Sequence, residues 1–266
     1  MDHTVVVPGA RLRVRTSGSG PVLLLLGGAA DGGGLGELRT LLEDSFTVVT
    51  YDRRGLGGSP ADDPEAAVEV GTDADDAAAV LAAVAAGPAL VAGTSNGAVQ
   101  GLELAIRHPQ RVRLLVAHEP PLPALLPAAV GDAVAAAQRG IDDRIRAGRI
   151  TEAVDLLGDL TGTGDPARRR PPPAGLDAAR AAFLARVALP LHRYRPDRAA
   201  LAACPVGIVP AAGEVGAELV GPRSAAELAR IRGTSVVTFP GGHAGFVEHP
   251  SAFAARLRDV LVQAVA

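Results

Sequence analysis

The sequence predicts an α/β fold in which a mostly parallel sheet is flanked by helices and interrupted by a helical insertion. Three observations carry this. Short apolar runs bounded by glycine or polar residues recur at Val22–Leu26, Thr47–Tyr51, Ala89–Ala92 and Leu114–His118. Helical patterns separate several of them, as parallel strands with crossover helices require. From about residue 120 to 199 the strand signal disappears, leaving Pro-rich and helical segments.

Taken in order, Thr4–Val7 and Ala10–Thr16 read as a hairpin about Pro8-Gly9, the pair a type II turn favours. Val22–Leu26 is continuously apolar, as a strand buried on both faces would be. Thr47–Tyr51 and Ala89–Ala92 repeat that pattern, with a helix at about Val70–Ala86 between them. A helix begins near Ala98 and is stopped by His108-Pro109. Leu114–His118, Val206–Val209 and Ser235–Phe239 complete the sheet, and Ser224-Ala-Ala-Glu227 reads as a capping box. Within the insertion, helices are expected at Ala128–Arg139, Ile141–Leu160 and Leu176–Leu189, with Gly158–Gly175 as a long loop able to act as a lid element. Ile145, Ile150, Val154 and Leu157 recur at helical spacing, which core packing explains.

Composition narrows the chemistry. With 266 residues, 48% hydrophobic and 21% charged, the chain has the makings of one globular domain. The net charge is −3 and the only dense basic run is Arg168-Arg169-Arg170, so no nucleic-acid partner is expected. The longest apolar stretch, Ala77 to Gly93, falls short of the ~20 residues of a membrane span and contains Gly87 and Pro88. Met1-Asp2-His3-Thr4 shows no signal-peptide pattern, and Cys204, the lone cysteine, cannot form an internal disulfide; a cytoplasmic location is the expectation. All 26 basic residues are Arg, which excludes the lysine of a P-loop, a pyridoxal-phosphate Schiff base or a Ser-Lys dyad. No G-x-G-x-x-G, H-E-x-x-H or paired-cysteine spacing occurs, so no cofactor and no metal are expected. A small-molecule substrate remains the natural partner; the oligomeric state is not legible.

The chemical motif is Gly93-Thr94-Ser95-Asn96-Gly97. Where glycine is this abundant, the pattern G-x-S-x-G says little by itself. Here it follows an apolar strand and opens a helix, the setting of a nucleophile elbow. Both glycines have a steric reason, because a Cβ at either would meet the neighbouring strand or helix, and Gly101 lets that helix approach the sheet. Serine needs a base, and His243, after the last strand, is the candidate. The other histidines have blander roles: His3 is terminal, His108 and His249 precede prolines, His192 lies in the insertion and His118 fills a strand end.

Four ordered segments resemble the α/β-hydrolase family. Val22-Leu-Leu-Leu-Leu-Gly27-Gly28-Ala29 is similar to its oxyanion strand and loop, with Gly27-Gly28 where many relatives have His-Gly. Tyr51-Asp52-Arg53-Arg54-Gly55-Leu56-Gly57-Gly58-Ser59 resembles its D-x-R-G-x-G-x-S loop, in which Asp52 braces the turn. Gly93–Gly97 is similar to the elbow and Pro240-Gly241-Gly242-His243-Ala244-Gly245-Phe246 to the segment presenting the histidine. The resemblance implies a core of about 1–119 and 200–266 with a helical cap of about 120–199. It implies Ser95 as nucleophile, His243 as base, and an oxyanion hole from the amides of Asn96 and of Ala29 or Gly28. The acid departs from the common pattern, since Gly216 stands where an Asp is usual. Glu119, ending the strand after the elbow helix, is the favoured acid and Glu214 the alternative.

The resulting expectation is a cofactor-free serine hydrolase acting on an ester, lactone or thioester of a modest apolar molecule through an acyl-enzyme. Two alternatives stay open: C–C bond hydrolysis or cyclisation in the same site, and a catalytically silent ligand-binding member, motivated by Gly216.

Overall fold

The computed structural model describes residues 1–28, 34–163 and 181–263. Its strands are β1 (Asp2–Val7), β2 (Ala10–Ser17), β3 (Val22–Leu26), β4 (Thr47–Tyr51), β5 (Ala89–Thr94), β6 (Val112–His118), β7 (Gly207–Gly213) and β8 (Val237–Phe239). They form one sheet in the order β1-β2-β4-β3-β5-β6-β7-β8. Only β2 runs against its neighbours, pairing antiparallel with both β1 and β4. The hairpin turns at Pro8-Gly9 as expected, with Gly9 at φ 76°.

The continuous apolar runs are explained by the side chains alternating between two cores. Leu23 and Leu25 of β3 face one, while Leu24 and Leu26 face the other. The same division places Leu90 and Ala92 of β5 against Leu114 and Val116 of β6 on the first face, and Val91, Leu115 and Ala117 on the second. Helices α1 (Leu35–Leu42) and α10 (Pro250–Gln263) cover the first face. Helices α2 (Val70–Val84) and α3 (Asn96–Arg107) cover the second. Where a strand is covered on both faces in this way, consecutive side chains are apolar.

Between β6 and β7 the described residues contain no strand; their helices are a 3-10 turn at Pro123–Leu125, α4 (Ala128–Arg146), α5 (Ile150–Thr161), a π-turn at Leu184–Ala188 that runs into α6 (Leu189–Arg193), and α7 (Arg198–Ala203). Helices α4 and α5 differ from the expected Ala128–Arg139 and Ile141–Leu160. Gly140 stays inside α4, and the break falls at Gly148, whose φ of 72° is the left-handed conformation that ends a helix. The expected loop from Gly158 likewise begins later, because α5 continues to Thr161 and closes on left-handed Gly162. Residues 164–180, including the arginine and proline runs and the start of the expected Leu176–Leu189 helix, lie outside the described residues.

The remaining helices are α8 (Val220–Arg232) and α9 (Gly245–Glu248). Here the capping-box reading fails: α8 starts four residues before Ser224. Ser224 is fully buried in the helix interior, where its hydroxyl accepts from Leu122 N–H and donates to Leu122 C=O, both at 3.2 Å. A serine with a tertiary partner of that kind has no need of a cap role.

Candidate active site

Strand β3 pairs with β4 on one side and β5 on the other, so the order of connection reverses at β3. Open α/β sheets bind ligands at such a point, outside the carboxyl edge. The turns after β3 and β5 both open there.

Ser95 sits between β5 and α3 with φ 53° and ψ −124°. Only one other non-glycine among the described residues has positive φ, namely Glu119 at 49°. Such a conformation costs on the order of 1–3 kcal/mol and persists only where its surroundings enforce it. Here they do. The Ser95 N–H donates to His118 C=O at 2.9 Å, and the Glu119 N–H donates to Ala211 C=O at 2.9 Å, so each turn is tied to the adjacent strand. The expected glycine sterics are present: a Cβ on Gly93 would lie 2.4 Å from Gly97 O, and one on Gly97 would lie 2.0 Å from Leu26 O. One on Gly101 would meet Leu115 at 2.7 Å.

Glu119 is buried at the end of β6, and its two oxygens have separate partners. Oε1 accepts the Gly213 N–H at 2.8 Å, and Oε2 lies 2.8 Å from His243 Nδ1. The side chains of His243 and Glu119 are 12% and 1% exposed. Burial raises the Glu119 carboxyl pKa, but the hydrogen bond and charge of His243, the charge of His118 and the Gly213 N–H together bring it below the ordinary value. Glu214 is exposed, and no hydrogen bond joins it to His243 among the described residues.

Ser95, Asn96, Gly28 and His243 line one cavity of about 380 Å³. Val154 and Leu157 of α5, with Phe246 and Val247 of α9, supply its apolar wall, and Thr161 and Thr163 add hydroxyls. A larger groove of about 780 Å³ runs along α4 beside Asp142, Arg146 and Arg193, but it shares no lining residue with the Ser95 cavity. Gly28 packs directly on the serine, since a Cβ there would come within 2.7 Å of Ser95 Cβ. The Asn96 N–H belongs to the first turn of α3, where helix geometry leaves amides without intrahelical partners and favours negative charge. Ala29 lies outside the described residues. No group of three His, Cys, Asp or Glu among the described residues could hold a metal ion.

Asp52 braces its turn as expected: Oδ2 accepts the Gly58 N–H at 2.8 Å, and Arg15 pairs with both carboxylate oxygens. His118 does fill a strand end. It stacks edge-on against Phe239 and Phe253, neither ring nitrogen has a hydrogen-bond partner, and burial lowers its pKa to about 4.

Three features had no sequence signal. The Gly213 N–H that holds Glu119 is backbone. The Asn96 side chain reaches back to donate to Gly28 C=O across a long 3.4 Å. Beneath both loops, Arg53, Asp73 and Gln100 form a buried polar cluster whose members are scattered in sequence.

The chain that carries this arrangement, a strained serine at a strand–helix turn and a carboxylate-bound histidine, is similar to known proteins. Residues 20–180 match the alpha/beta hydrolase fold family. The chain is 34% identical over 265 residues to the uncharacterized hydrolase YraK of Bacillus subtilis, spanning 98% of this chain and 96% of that one. It is 38% identical over 107 residues to a 2-(acetamidomethylene)succinate hydrolase of Mesorhizobium japonicum, covering 40% of this chain and 38% of that protein. The crystal structure of an alpha/beta hydrolase from Sphaerobacter thermophilus superposes with a TM-score of 0.74 at 26% identity, covering 99% of this chain and all of the other. Fold, motif order and full-length similarity therefore agree, and the chain belongs to the alpha/beta hydrolase fold family as a hydrolase.

Proposed function

We propose that the protein is a serine hydrolase that cleaves an ester, lactone or thioester of a modest apolar small molecule through an acyl-enzyme on Ser95. The observation that carries this reading is the 2.8 Å contact of Glu119 with His243 Nδ1, in the cavity that also holds the strained Ser95. With Glu119 accepting the Nδ1 proton, the other ring nitrogen is left basic, the tautomer a serine hydroxyl requires. His243 takes the Ser95 proton as Oγ attacks the carbonyl carbon. The developing oxyanion is met by the Asn96 amide and by a donor from the loop at Gly28, preorganised by α3 and β3. Collapse expels the alkoxide or thiolate, which takes the proton from His243. Water then repeats the sequence on the acyl-enzyme and frees Ser95. In this reading residues of about 120–199 are a cap over a core of about 1–119 and 200–266, and α5 of that cap supplies the Val154 and Leu157 side of the apolar wall.

The wall also bears on substrate charge. Among the described residues lining the cavity there is no Arg. A succinate such as that in the Mesorhizobium relative's name carries two carboxylates, which would find no counter-ion among them. The silent-member alternative rested on Gly216, and the Glu119–His243 contact supports the hydrolase reading over it.

A fluorophosphonate tests the reading without knowledge of the substrate. It is expected to modify Ser95, as located by peptide mapping, and Ser95→Ala or His243→Ala should abolish labelling. A folded wild-type protein that never reacts would overturn it.

A further inference from the structure

Beneath the Ser95 cavity lies the buried polar cluster that the proposed mechanism does not use. Arg53 is 7% exposed, and its Nη2 donates to Gln100 Oε1 at 2.8 Å and to Gly27 C=O at 3.3 Å. Gln100, fully buried one helical turn beyond Asn96 in α3, donates in turn to the Tyr51 hydroxyl and to Asp73 C=O. Asp73 of α2 stands 3.6 Å from Arg53 Nη1, and neither of its carboxylate oxygens has a hydrogen bond. A guanidinium kept in so dry a place is costly unless its fork is used. One nitrogen, Nη2, joins a loop to a helix: it holds the carbonyl after β3 and is anchored on the helix that Ser95 opens, while Nη1 faces the Asp73 carboxylate without a hydrogen bond.

We infer that Arg53 is a positioning residue for the oxyanion side of the site. The inference rests on Ser95 being the nucleophile. The peptide joining Gly27 to Gly28 is planar and trans, so its C=O and N–H point in opposite directions. A donor that fixes the Gly27 carbonyl therefore fixes the direction of the Gly28 amide, and Gly28 packs on Ser95. Gly27 and Gly28 have no side chains of their own to set that plane, and glycine resists rotation less than any other residue. Arg53 supplies from below the stiffness this pair lacks, and Gln100 ties it to the same helix as the Asn96 amide.

Removing Arg53 alone would strand the Asp73 carboxylate, so the informative variant removes both charges. Asp73 touches neither Gly27 nor the elbow, and Asp73→Asn, which keeps a polar side chain of the same shape opposite Nη1, leaves both Nη2 hydrogen bonds of Arg53 in place. The experiment is the kinetics of Ser95 phosphonylation by a fluorophosphonate in wild type, Asp73→Asn, and Arg53→Met with Asp73→Asn, separating kinact from KI. The phosphoryl oxygen uses the oxyanion donors only as the bond forms, so a misaimed amide lowers kinact and spares KI. Asp73→Asn is expected within threefold of wild type. The double variant is expected to lose about 10- to 100-fold in kinact, a part of what deleting a donor outright costs, with KI unchanged. Equal kinact in the single and double variants overturns the positioning role, as does a loss confined to KI. Should Ser95 of the wild type not be labelled, the nucleophile reading fails first and this inference with it.

Discussion

Glu119→Gln separates charge from shape at the candidate acid. The geometry fixes how a glutamine must sit. The Gly213 N–H, 2.8 Å from Oε1, demands an acceptor, so the amide oxygen stays there and the NH₂ faces His243 Nδ1. An NH₂ can only donate, which makes Nδ1 the acceptor and moves the ring proton to the nitrogen meant to take one from Ser95. The base is then in the wrong tautomer. In serine proteases the equivalent change costs about 10⁴-fold in turnover. That corresponds to roughly 5.5 kcal/mol of transition-state stabilisation. We expect Glu119→Gln to slow both fluorophosphonate labelling and p-nitrophenyl butyrate hydrolysis at pH 7.5 by about 10³- to 10⁴-fold, with the fold intact by circular dichroism. Glu214→Gln, exposed and remote in its contacts, should stay within twofold, as surface changes do. The reasoning is refuted if Glu119→Gln remains within tenfold of wild type, and a large loss on Glu214→Gln would transfer the role.

Other expectations follow from burial and sterics. His118 is held neutral by burial, with its pKa lowered from 6.5 to about 4, so the unfolded chain binds more protons between those values. Its contribution is intact above pH 6.5 and is lost as pH falls toward 4, by about 3 kcal/mol in all. His118→Phe should remove that part of the acid slope in urea unfolding at pH 7 and pH 5. Asp73, pushed up to about 6 chiefly by burial, has the opposite slope but is common to both proteins, and an unchanged difference between the two pH values would count against the assignment. Gly97→Ala places a methyl 2.0 Å from Leu26 O, a backbone atom, and should cost about 3 kcal/mol or more in urea unfolding; a loss below about 1 kcal/mol would mean the elbow approach is looser than described. Dialysis against EDTA should leave ester hydrolysis unchanged, given the lack of any three-ligand cluster among the described residues; loss restored by a divalent ion would contradict this.

Legibility of the sequence followed the range of the interactions. The strands were readable because β3, β5 and β6 are covered on both faces along Val22–Leu26, Ala89–Ala92 and Leu114–Ala117, where every side chain is apolar. The elbow was readable because its glycines are demanded by contacts within the motif and with β3. Readings failed where a local pattern had a distant partner. Ser224 looks like a cap until Leu122, about a hundred residues away, takes its hydroxyl. Gly140 looks like a helix break, yet α4 runs through it to Gly148. Glu119 was favoured over Glu214 from strand order alone, whereas its contacts depend on the pairing of β6 with β7, which brings Gly213 N–H to the Glu119 carboxylate. The Arg53 cluster joins three elements by side-chain reach alone, and no spacing rule finds it.

Holding the carboxylate on β6 has an engineering consequence for the β7–α8 connection. Gly213 gives Glu119 a backbone amide, which any residue with an N–H could supply, and beyond it Glu214 and Val215 project outward. Residues 214–218 thus contribute no side chain to the histidine, although they run beside Gly241 and Gly242 at the foot of its loop. With Glu119 as the proposed acid, sequence there is released from the demands of proton transfer while staying adjacent to His243. Segments of different length and polarity grafted into that connection would reshape the approach to the cavity and leave the Glu119–His243 pair undisturbed.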